Sequence, residues 1–249
     1  MAIAHAHSSS LYDASASSLA DQVNRAVKAD DPAATLLTFT EVGSDKRTQV
    51  LKDTDPDEWA AWVPGATDVG IMWRKGEWSP VWKEAHKLTS KVWTDGQGRK
   101  HETWCGTALL EFHKAGKRLF LSVCHLPSHV DNGGKFYDNA QAKAWKSAVA
   151  GWSDYWNNKR KKDHPTMGML VADWNVDFHL SSWRQYLADV FPSMHLCWGG
   201  DKMPAKGKGT HGSRLIDATY ATGTITDAKL LKDDDSSDHR PYGELTKWP

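Results

Sequence analysis

The chain has 249 residues, of which 40% are hydrophobic and 25% are charged, a composition typical of a globular protein with one sizeable core. Its 31 basic residues balance its 31 acidic residues, so no overall field draws it tightly onto nucleic acid or an acidic membrane, although local patches are compatible with this balance. No apolar run has the length of a membrane-spanning helix, and the N-terminus lacks the basic and apolar regions of a signal peptide.

The three cysteines, Cys105, Cys124 and Cys197, each lie in an apolar segment. An odd number of cysteines cannot pair completely, and reduced core thiols are typical of a reducing compartment. We therefore expect unpaired core thiols, a cytoplasmic location and no membrane segment. Nothing in the sequence specifies the oligomeric state, and a monomer is assumed.

The first half of the chain has the hydrophobic pattern of several strands with few helices between them. The predicted elements are, in order, a strand at 2–7, a helix at 18–29, a strand at 35–40, a polar segment with helical spacing at 45–62, a strand at 68–74, strands at 86–94 and 103–112, and a strand at 118–124. A glycine-containing turn at 95–98 separates two of these strands.

The second half contains the longest helical pattern, which begins at Phe136 and ends near Asn158. The cations of residues 159–162 follow it, at the negative end of the helix dipole. The pattern then predicts a strand at 169–172, a helix at 181–188, a basic loop at 199–213, and strands at 215–220 and 224–231. No internal repeat or long linker divides the chain, so we expect a single domain, 1–249. Strand pairs without a helix between them favour a mixed sheet or two packed sheets.

The strand at 169–172 ends in a carboxylate, Asp173, and the carboxamide of Asn175 follows two residues later. Strand alternation places both side chains on one side if the extended chain continues that far. A site that holds a metal ion or a phosphoryl oxygen explains two polar groups at the end of a buried strand. A strand that leaves the core through an Asx-rich turn is the purely structural alternative.

Other predicted strands also end in polar side chains, and the same ends of neighbouring strands meet in one cleft. The candidates are Glu41, His125, Asp217, Asp238 and His239. Together with Asp173 they offer oxygen ligands for a divalent cation and imidazoles for proton transfer. No cysteine and histidine cluster has zinc-ligand spacing. The absence of a serine-hydrolase elbow and of a phosphate-binding glycine loop argues against a serine hydrolase or an NTPase.

Five short motifs occur in the order found in one superfamily, and they extend from about residue 35 to residue 244. They are Thr40-Glu41-Val42, Val123-Cys124-His125-Leu126-Pro127, Ala172-Asp173-Trp174-Asn175, Arg214-Leu215-Ile216-Asp217 and Ser237-Asp238-His239. This set resembles the endonuclease/exonuclease/phosphatase superfamily, the DNase I-like fold. The resemblance implies an α/β (α+β) four-layer α-β-β-α sandwich, in which two packed mixed sheets are flanked by helices.

The resemblance also implies a metal site. Glu41 matches the metal-binding glutamate of the superfamily, and Asp238 matches the aspartate near the metal. The implied cofactor is Mg²⁺, with Mn²⁺ or Ca²⁺ as alternatives.

The catalytic groups follow from the same resemblance. Asp173 and Asn175 match the pair that contacts the scissile phosphate and the attacking water. His239 matches the catalytic histidine, and Asp217 matches the aspartate that orients it and raises its basicity. His125 matches the phosphate-facing histidine of DNase I-like and sphingomyelinase-like members and disfavours the branch of apurinic-site repair enzymes.

The sequence departs from the superfamily at three positions. The first strand usually ends in Asn, where this chain offers His5 or His7, and either histidine is compatible with the spacing. Thr40 replaces the usual Gln before the glutamate, and Ala172 replaces the usual Gly before the aspartate. His5, His7, Arg74 and Trp174 are the candidates for substrate or phosphate binding.

The predicted activity is metal-dependent hydrolysis of a phosphoester by in-line attack of water, with DNA as the first substrate to test. The alternatives are a phosphodiesterase or phosphatase for small-molecule or lipid phosphates, and a catalytically inactive binding member of the fold. The basic loop at 202–208 is compatible with a phosphate backbone and equally with an ordinary surface loop.

Overall fold

A computed structural model describes residues 2–8, 34–42, 45–65, 67–94, 97–231, 239–240 and 242–249. Its strands are β1 (Ala2–Ser8), β2 (Leu36–Phe39), β3 (Trp59–Trp62), β4 (Gly70–Arg74), β5 (Trp78–Lys87), β6 (Trp93–Thr94), β7 (Lys100–His101), β8 (Trp104–Phe112), β9 (Lys117–His125), β10 (Met167–Asp173), β11 (His195–Leu196), β12 (Asp217–Ala221), β13 (Thr224–Leu230) and β14 (Tyr242–Lys247). The described helices are α1 (Asp45–Asp53), α2 (Ala140–Asp163) and α3 (Ser181–Val190). The helix predicted at 18–29 lies outside the described residues.

Two six-stranded mixed sheets form the centre of the fold. The first has the order β13-β14-β1-β2-β4-β3, and the second has the order β11-β12-β10-β9-β8-β5. Tyr242 of the first sheet and Thr219 of the second join their hydroxyl groups by a 2.9 Å hydrogen bond across the interior. A short hairpin of β6 and β7 lies apart from both sheets in the pairing order.

The helices cover the outer faces of the sheets. Alternation along β2 sends Leu37 and Phe39 towards Leu51 of α1, whereas Leu36 joins the main core between the sheets. Helix α2 covers the second sheet, where the indole of Trp152 donates a hydrogen bond to the hydroxyl of Ser122. The predicted four-layer α-β-β-α sandwich is therefore confirmed.

Helix α2 begins and ends as its sequence predicts, with its bounds shifted by a few residues. The side chain of Asn139 caps it by accepting a hydrogen bond from the backbone N–H of Ala142. It continues beyond Asn158, so the basic residues 160–162 lie within its last turn. Among the described helices, none is both long enough and apolar enough to cross a membrane.

Three predicted features differ from the structure: one helical segment, the extent of one strand, and one strand that was not predicted. The segment predicted as helical at 45–62 forms α1 and then β3, and β5 begins eight residues before the strand predicted at 86–94. The sequence prediction ended at 231 and missed β14, which lies inside the first sheet between β13 and β1. The inward-facing Glu244 hides this strand, because a carboxylate at a core position breaks the apolar alternation on which the prediction depends.

Glu244 is buried without compensation for its charge. Its side chain is 3% exposed, and neither carboxylate oxygen meets a hydrogen-bond partner among the described residues. Burial raises the pKa of Glu244 to about 8, although the nearby Thr219 acts in the opposite direction. In the unfolded chain the same carboxyl group ionises near its ordinary value of 4.5.

Stability is therefore expected to fall as the pH rises from about 4.5 to about 8, because only the unfolded chain releases this proton in that window. Glu244→Gln removes the titrating group and flattens this part of the dependence. Its stability relative to the parent should rise by about 3 kcal/mol between pH 5 and pH 8. Urea unfolding at both pH values measures this change, with the surface substitution Glu111→Gln as the control. A parallel pH dependence in Glu244→Gln and the parent would contradict the prediction.

Candidate functional site

The second sheet places three polar side chains in one row. β9 and β10 are parallel, and their register pairs His125 with Asp173. β12 is antiparallel to β10, and its register pairs Asp217 with Asp173. Residues directly opposite each other on neighbouring strands point to the same face of a sheet. The row His125, Asp173 and Asp217 therefore follows from strand register.

The first sheet faces this row with Glu41, Asp68 and His239. Oε1 of Glu41 lies 3.6 Å from Nε2 of His125, and Nε2 of His239 lies 4.0 Å from Oδ2 of Asp173. The site therefore lies where the same ends of the two sheets meet, as the polar strand ends predict. Asp238 lies outside the described residues, so its metal-ligand role stays a prediction.

Asp217 and His239 form a buried pair. Nδ1 of His239 lies 2.8 Å from Oδ2 of Asp217, and the residues are 6% and 0% exposed. The indole of Trp198 donates to the backbone oxygen of Asp217, and the Thr210 hydroxyl accepts from its N–H. These bonds fix the carboxylate, which in turn orients the imidazole so that Nε2 is directed towards Asp173.

Gly209 lets the chain pass close to this pair. A Cβ at Gly209 would collide with the backbone of Arg214, so no other residue fits without a shift of the chain. The neighbouring His211 places its ring 4.7 Å from the ring of His239. The loop at 199–213 is thus anchored at the site. Its lysines come before Gly209 in the chain.

Asp68 is the site residue that the sequence reasoning missed. Its Oδ2 accepts a 2.7 Å hydrogen bond from Nδ1 of His125. Burial lowers the pKa of His125, but the carboxylates around it, Asp68 first, outweigh burial and raise that pKa to about 10. Asp68 precedes β4, and Gly70 at the start of β4 pairs with Phe39 near the end of β2. The carboxylate at the start of the strand predicted at 68–74 was the available signal, whereas the predicted site was built on polar residues at strand ends.

Glu41 holds an unusual backbone conformation. Its φ is 60°, a region that costs energy for a residue with an ordinary side chain. The guanidinium of Arg47 donates a 2.9 Å hydrogen bond to its carbonyl oxygen, and the N–H of Val42 donates to Asp68. The carboxylate consequently turns towards His125, while its Oε2 is buried and meets no hydrogen-bond partner among the described residues.

Asn175 reaches the site by a turn, so the alternation argument for it was wrong. The carboxylate of Asp173 accepts a hydrogen bond from the N–H of Asn175, which has a φ of 55°. This Asx turn reverses the chain, and Asn is among the few residues that adopt this conformation readily. The amide of Asn175 then donates to the carbonyl of Leu126, and Arg214 donates to the carbonyl of Asn175.

Two of the predicted substrate-binding residues, Trp174 and Arg74, lie away from the cluster of Glu41, His125 and Asp173. Trp174 is fully buried and donates its indole N–H to the carbonyl of Ala218, because it points to the opposite face from Asp173. Arg74 is the last residue of β4. It lies about four strand residues, or roughly 13 Å, from Gly70, which is at the end of the strand nearer the site. There it forms a 3.2 Å ion pair with Glu58.

His5 and His7 lie in β1, next to β2. The parallel register pairs His5 with Leu36 and His7 with Thr38, so His7 is the nearer of the two to the strand end that leads to Glu41. Their role in phosphate binding stays a prediction.

The donor set fits a divalent cation. Ligand atoms of Glu41, His125 and Asp173 lie within 4.8 Å of one another, and so do those of Asp173, Asp217 and His239. Burial raises the pKa of Asp173, and the adjacent Asp217 raises it further. The site thus has an excess of negative charge in little solvent, and the unpartnered oxygen of Glu41 gives a hard cation a ready ligand.

A cavity of about 640 Å³ opens beside Glu41 and His125. Its lining also includes Trp93, Arg99 and His101 of the β6/β7 hairpin. Glu41 and His125 thus line a cleft large enough for an organic group.

Solved structures with this architecture cover nearly the whole chain. An endonuclease/exonuclease/phosphatase family protein from Bacteroides thetaiotaomicron matches with a TM-score of 0.75 and 13% identity, over 99% of this chain and 98% of its own. The chain has the endonuclease/exonuclease/phosphatase fold. A mannosyl-6-phosphatase of the same bacterium shares this fold, with a TM-score of 0.74 and 13% identity over 99% and 100% of the two chains.

The same fold occurs in D. rerio TDP2 complexed with a single-strand DNA product. That structure matches with a TM-score of 0.66 and 14% identity, over 99% of both chains. No protein-family model matches the sequence, and no curated protein matches it. The three-dimensional arrangement is thus similar although few amino acids are identical.

Proposed function

We propose that this protein is a divalent-metal-dependent phosphoester hydrolase. The observation that carries the proposal is the buried Asp217–His239 pair, whose Nε2 is directed towards Asp173 in a cluster of carboxylates. A histidine held by a carboxylate moves protons, and a carboxylate cluster holds a cation. This combination suits the hydrolysis of a phosphoester, as the sequence motifs also predict.

Glu41 and Asp173 would hold the cation, with Asp238 as a further ligand on the basis of its sequence motif. When bound, the cation stabilises negative charge on the phosphoryl and leaving oxygens. Mg²⁺ is the proposed metal because its ligands would be carboxylate oxygens, and Mn²⁺ and Ca²⁺ are the alternatives to test.

The histidines and Asn175 would do the remaining work. His239 exchanges a proton at Nε2 during in-line attack of water, while Asp217 keeps Nδ1 protonated and stabilises the imidazolium. The pKa of His125 is raised to about 10, so His125 is protonated at neutral pH. Its Nε2 then donates a hydrogen bond to a phosphoryl oxygen. Asp173 and Asn175, tied together by the Asx turn, position the water and the substrate.

The first substrate that we propose is DNA, whose phosphodiester bonds would be cleaved as by a nuclease. Two observations support it: the histidine pair of the sequence motifs and the fold shared with TDP2 in complex with a single-strand DNA product. The balanced charge of the chain argues for weak, non-processive binding.

A small-molecule phosphatase or phosphodiesterase is the second candidate. The cavity of about 640 Å³ favours it, because a pocket of this size suits one compact organic group. The fold shared with a mannosyl-6-phosphatase also supports it. The remaining candidates are a hydrolase of lipid phosphates and a catalytically inactive binding protein.

We propose that the protein is located in the cytoplasm and that it is a monomer. The three cysteines are buried free thiols in the structure, which suits a reducing environment.

Cleavage of supercoiled plasmid and of a simple nitrophenyl phosphodiester tests the activity. Both assays are run with Mg²⁺, with EDTA, and with His239→Ala as the control for contaminating nuclease. Plasmid nicking that needs both Mg²⁺ and His239 would establish a nuclease. Turnover of the small ester alone would favour the second candidate, and no turnover of any phosphoester by folded protein would refute the hydrolase proposal.

Asp68→Asn is expected to reduce kcat about 10- to 100-fold, because His125 loses the carboxylate that orients it and keeps it charged. We expect a smaller effect than at Asp217, since the Asp68 side chain is 44% exposed and water replaces part of its role. Steady-state kinetics over a range of pH check this, with Asp138→Asn, 91% exposed, as the control. A kcat and a pH profile in Asp68→Asn that are equal to those of the parent would exclude the role assigned to Asp68.

A further inference from the structure

The cavity beside Glu41 and His125 has a distinct wall that the proposed hydrolysis does not use. The β6/β7 hairpin supplies it, and the side chain of Gln141 in α2 donates a hydrogen bond to the carbonyl of Thr94. The rings of Trp93 and His101 stack within this hairpin, with centroids 4.4 Å apart and planes 20° apart. The hairpin therefore adds a pair of stacked aromatic rings, the Trp93–His101 surface, to the lining of the cavity.

Cationic side chains line the same cavity. Arg99 lies in the turn of the hairpin, and Arg47 of α1 lies on the side of Glu41. Guanidinium groups recognise phosphate through several donors at once and carry a permanent positive charge. The two arginines therefore favour a ligand with an anionic group beyond the one at the catalytic row.

Thr103 adds an unused polar group to the cavity. It is 2% exposed and lines the cavity, and its hydroxyl has no hydrogen-bond partner among the described residues. A buried hydroxyl without a partner costs free energy unless a ligand or water satisfies it. This observation is independent of the hairpin and itself points to an occupant with hydrogen-bonding groups.

From these contacts we infer that the cavity is a specificity pocket for one nucleotide unit of the substrate. The nucleobase stacks on the Trp93–His101 surface, Arg99 and Arg47 bind a second phosphate, and Thr103 bonds to a polar edge of the nucleotide. Aromatic stacking suits every base, since each has a flat face. The volume of about 640 Å³ holds one such unit.

This inference rests on the proposed hydrolase function, and it predicts a difference between two esters with the same leaving group. Thymidine 5′-(4-nitrophenyl phosphate) carries a base, and methyl 4-nitrophenyl phosphate does not. Trp93→Ala should lower kcat/KM for the thymidine ester by about tenfold or more, with less than about a twofold change for the methyl ester. Arg99→Ala should change neither ester by more than about twofold, because each ester carries only the scissile phosphate.

The control variants separate the pocket from general effects. Trp93→Phe keeps a flat ring and should retain most of the activity on the thymidine ester. Arg118→Ala removes an arginine of similar exposure at the other end of β9, about seven strand residues or roughly 23 Å from His125, and should change neither ester. Equal losses on both esters in Trp93→Ala, with folded protein, would overturn the pocket assignment and leave the hydrolase proposal intact.

Binding without turnover separates the two proposals. Adenosine 3′,5′-bisphosphate is titrated calorimetrically into the protein in EDTA, with mannose 6-phosphate as the competitor. Binding that Arg99→Ala weakens about tenfold would support the pocket even if no ester is hydrolysed. Tighter binding of the sugar phosphate, or nucleotide binding that is equal in Arg99→Ala and the parent, would refute a nucleotide pocket.

Discussion

Replacing Asp217 with asparagine is expected to lower kcat by about 10²- to 10⁴-fold with little change in KM. The carboxylate holds Nδ1 of His239 at 2.8 Å, so it fixes the tautomer that leaves Nε2 free for proton transfer. Asparagine is nearly the same size, but it is neutral and able to present an N–H to the ring. It therefore removes both the orientation and the charge that stabilises an imidazolium.

The Asp217→Asn experiment needs a readout that a merely structural defect does not produce. Circular dichroism and thermal unfolding show whether the variant is folded, and the pH profile of kcat shows whether the titration of His239 has moved. Asp227→Asn on the exposed side of β13 is the matched control, because it makes the same substitution on a strand far from the site. Full activity in folded Asp217→Asn would exclude the assigned role of Asp217.

Glu41→Gln is expected to weaken Mg²⁺ binding by at least about tenfold and to lower the rate by a factor of a hundred or more at about millimolar Mg²⁺. Glutamine keeps the shape of the side chain but withdraws the negative charge that a hard cation requires. Raising the Mg²⁺ concentration should restore part of the rate, because the defect lies in occupancy. Removal of the cation with EDTA should abolish turnover in the parent protein.

Calorimetric titration of Mg²⁺ and Mn²⁺ measures this effect independently of catalysis. Glu58→Gln is the control, since Glu58 pairs with Arg74 at the far end of β4 and should leave metal affinity unchanged. Unaltered metal affinity together with unaltered turnover in Glu41→Gln would show that Glu41 is not a metal ligand.

Much of the site was predictable because strands deliver side chains in a regular way. Asp173 and His125 follow apolar strands in the sequence, and parallel pairing brings such strand ends together. Glu41 follows β2 by the same rule. The four-layer sandwich could be predicted as well, because short motifs at strand ends keep their order while the rest of the chain varies.

The strand register and the packing between the two sheets could not be predicted from the sequence. Trp174 and Asp173 are neighbours in the chain, yet one lies in the core and the other in the site, because successive strand residues point to opposite faces. Asp68 became a partner of His125 only when β4 of the first sheet came to face β9 of the second. No local pattern encodes that distance, since the two residues are 57 positions apart.

The sequence by itself determined which polar residues lie at the ends of apolar strands, because hydrophobic alternation and strand ends are local properties. Only the tertiary structure decided which of these residues meet. The Asx turn that directs Asn175, the missed strand β14 with its buried Glu244, and the hairpin wall of the cavity each depend on long-range contacts. Those contacts have no signature within a single segment of the chain, since their free energy arises only when distant segments pack together.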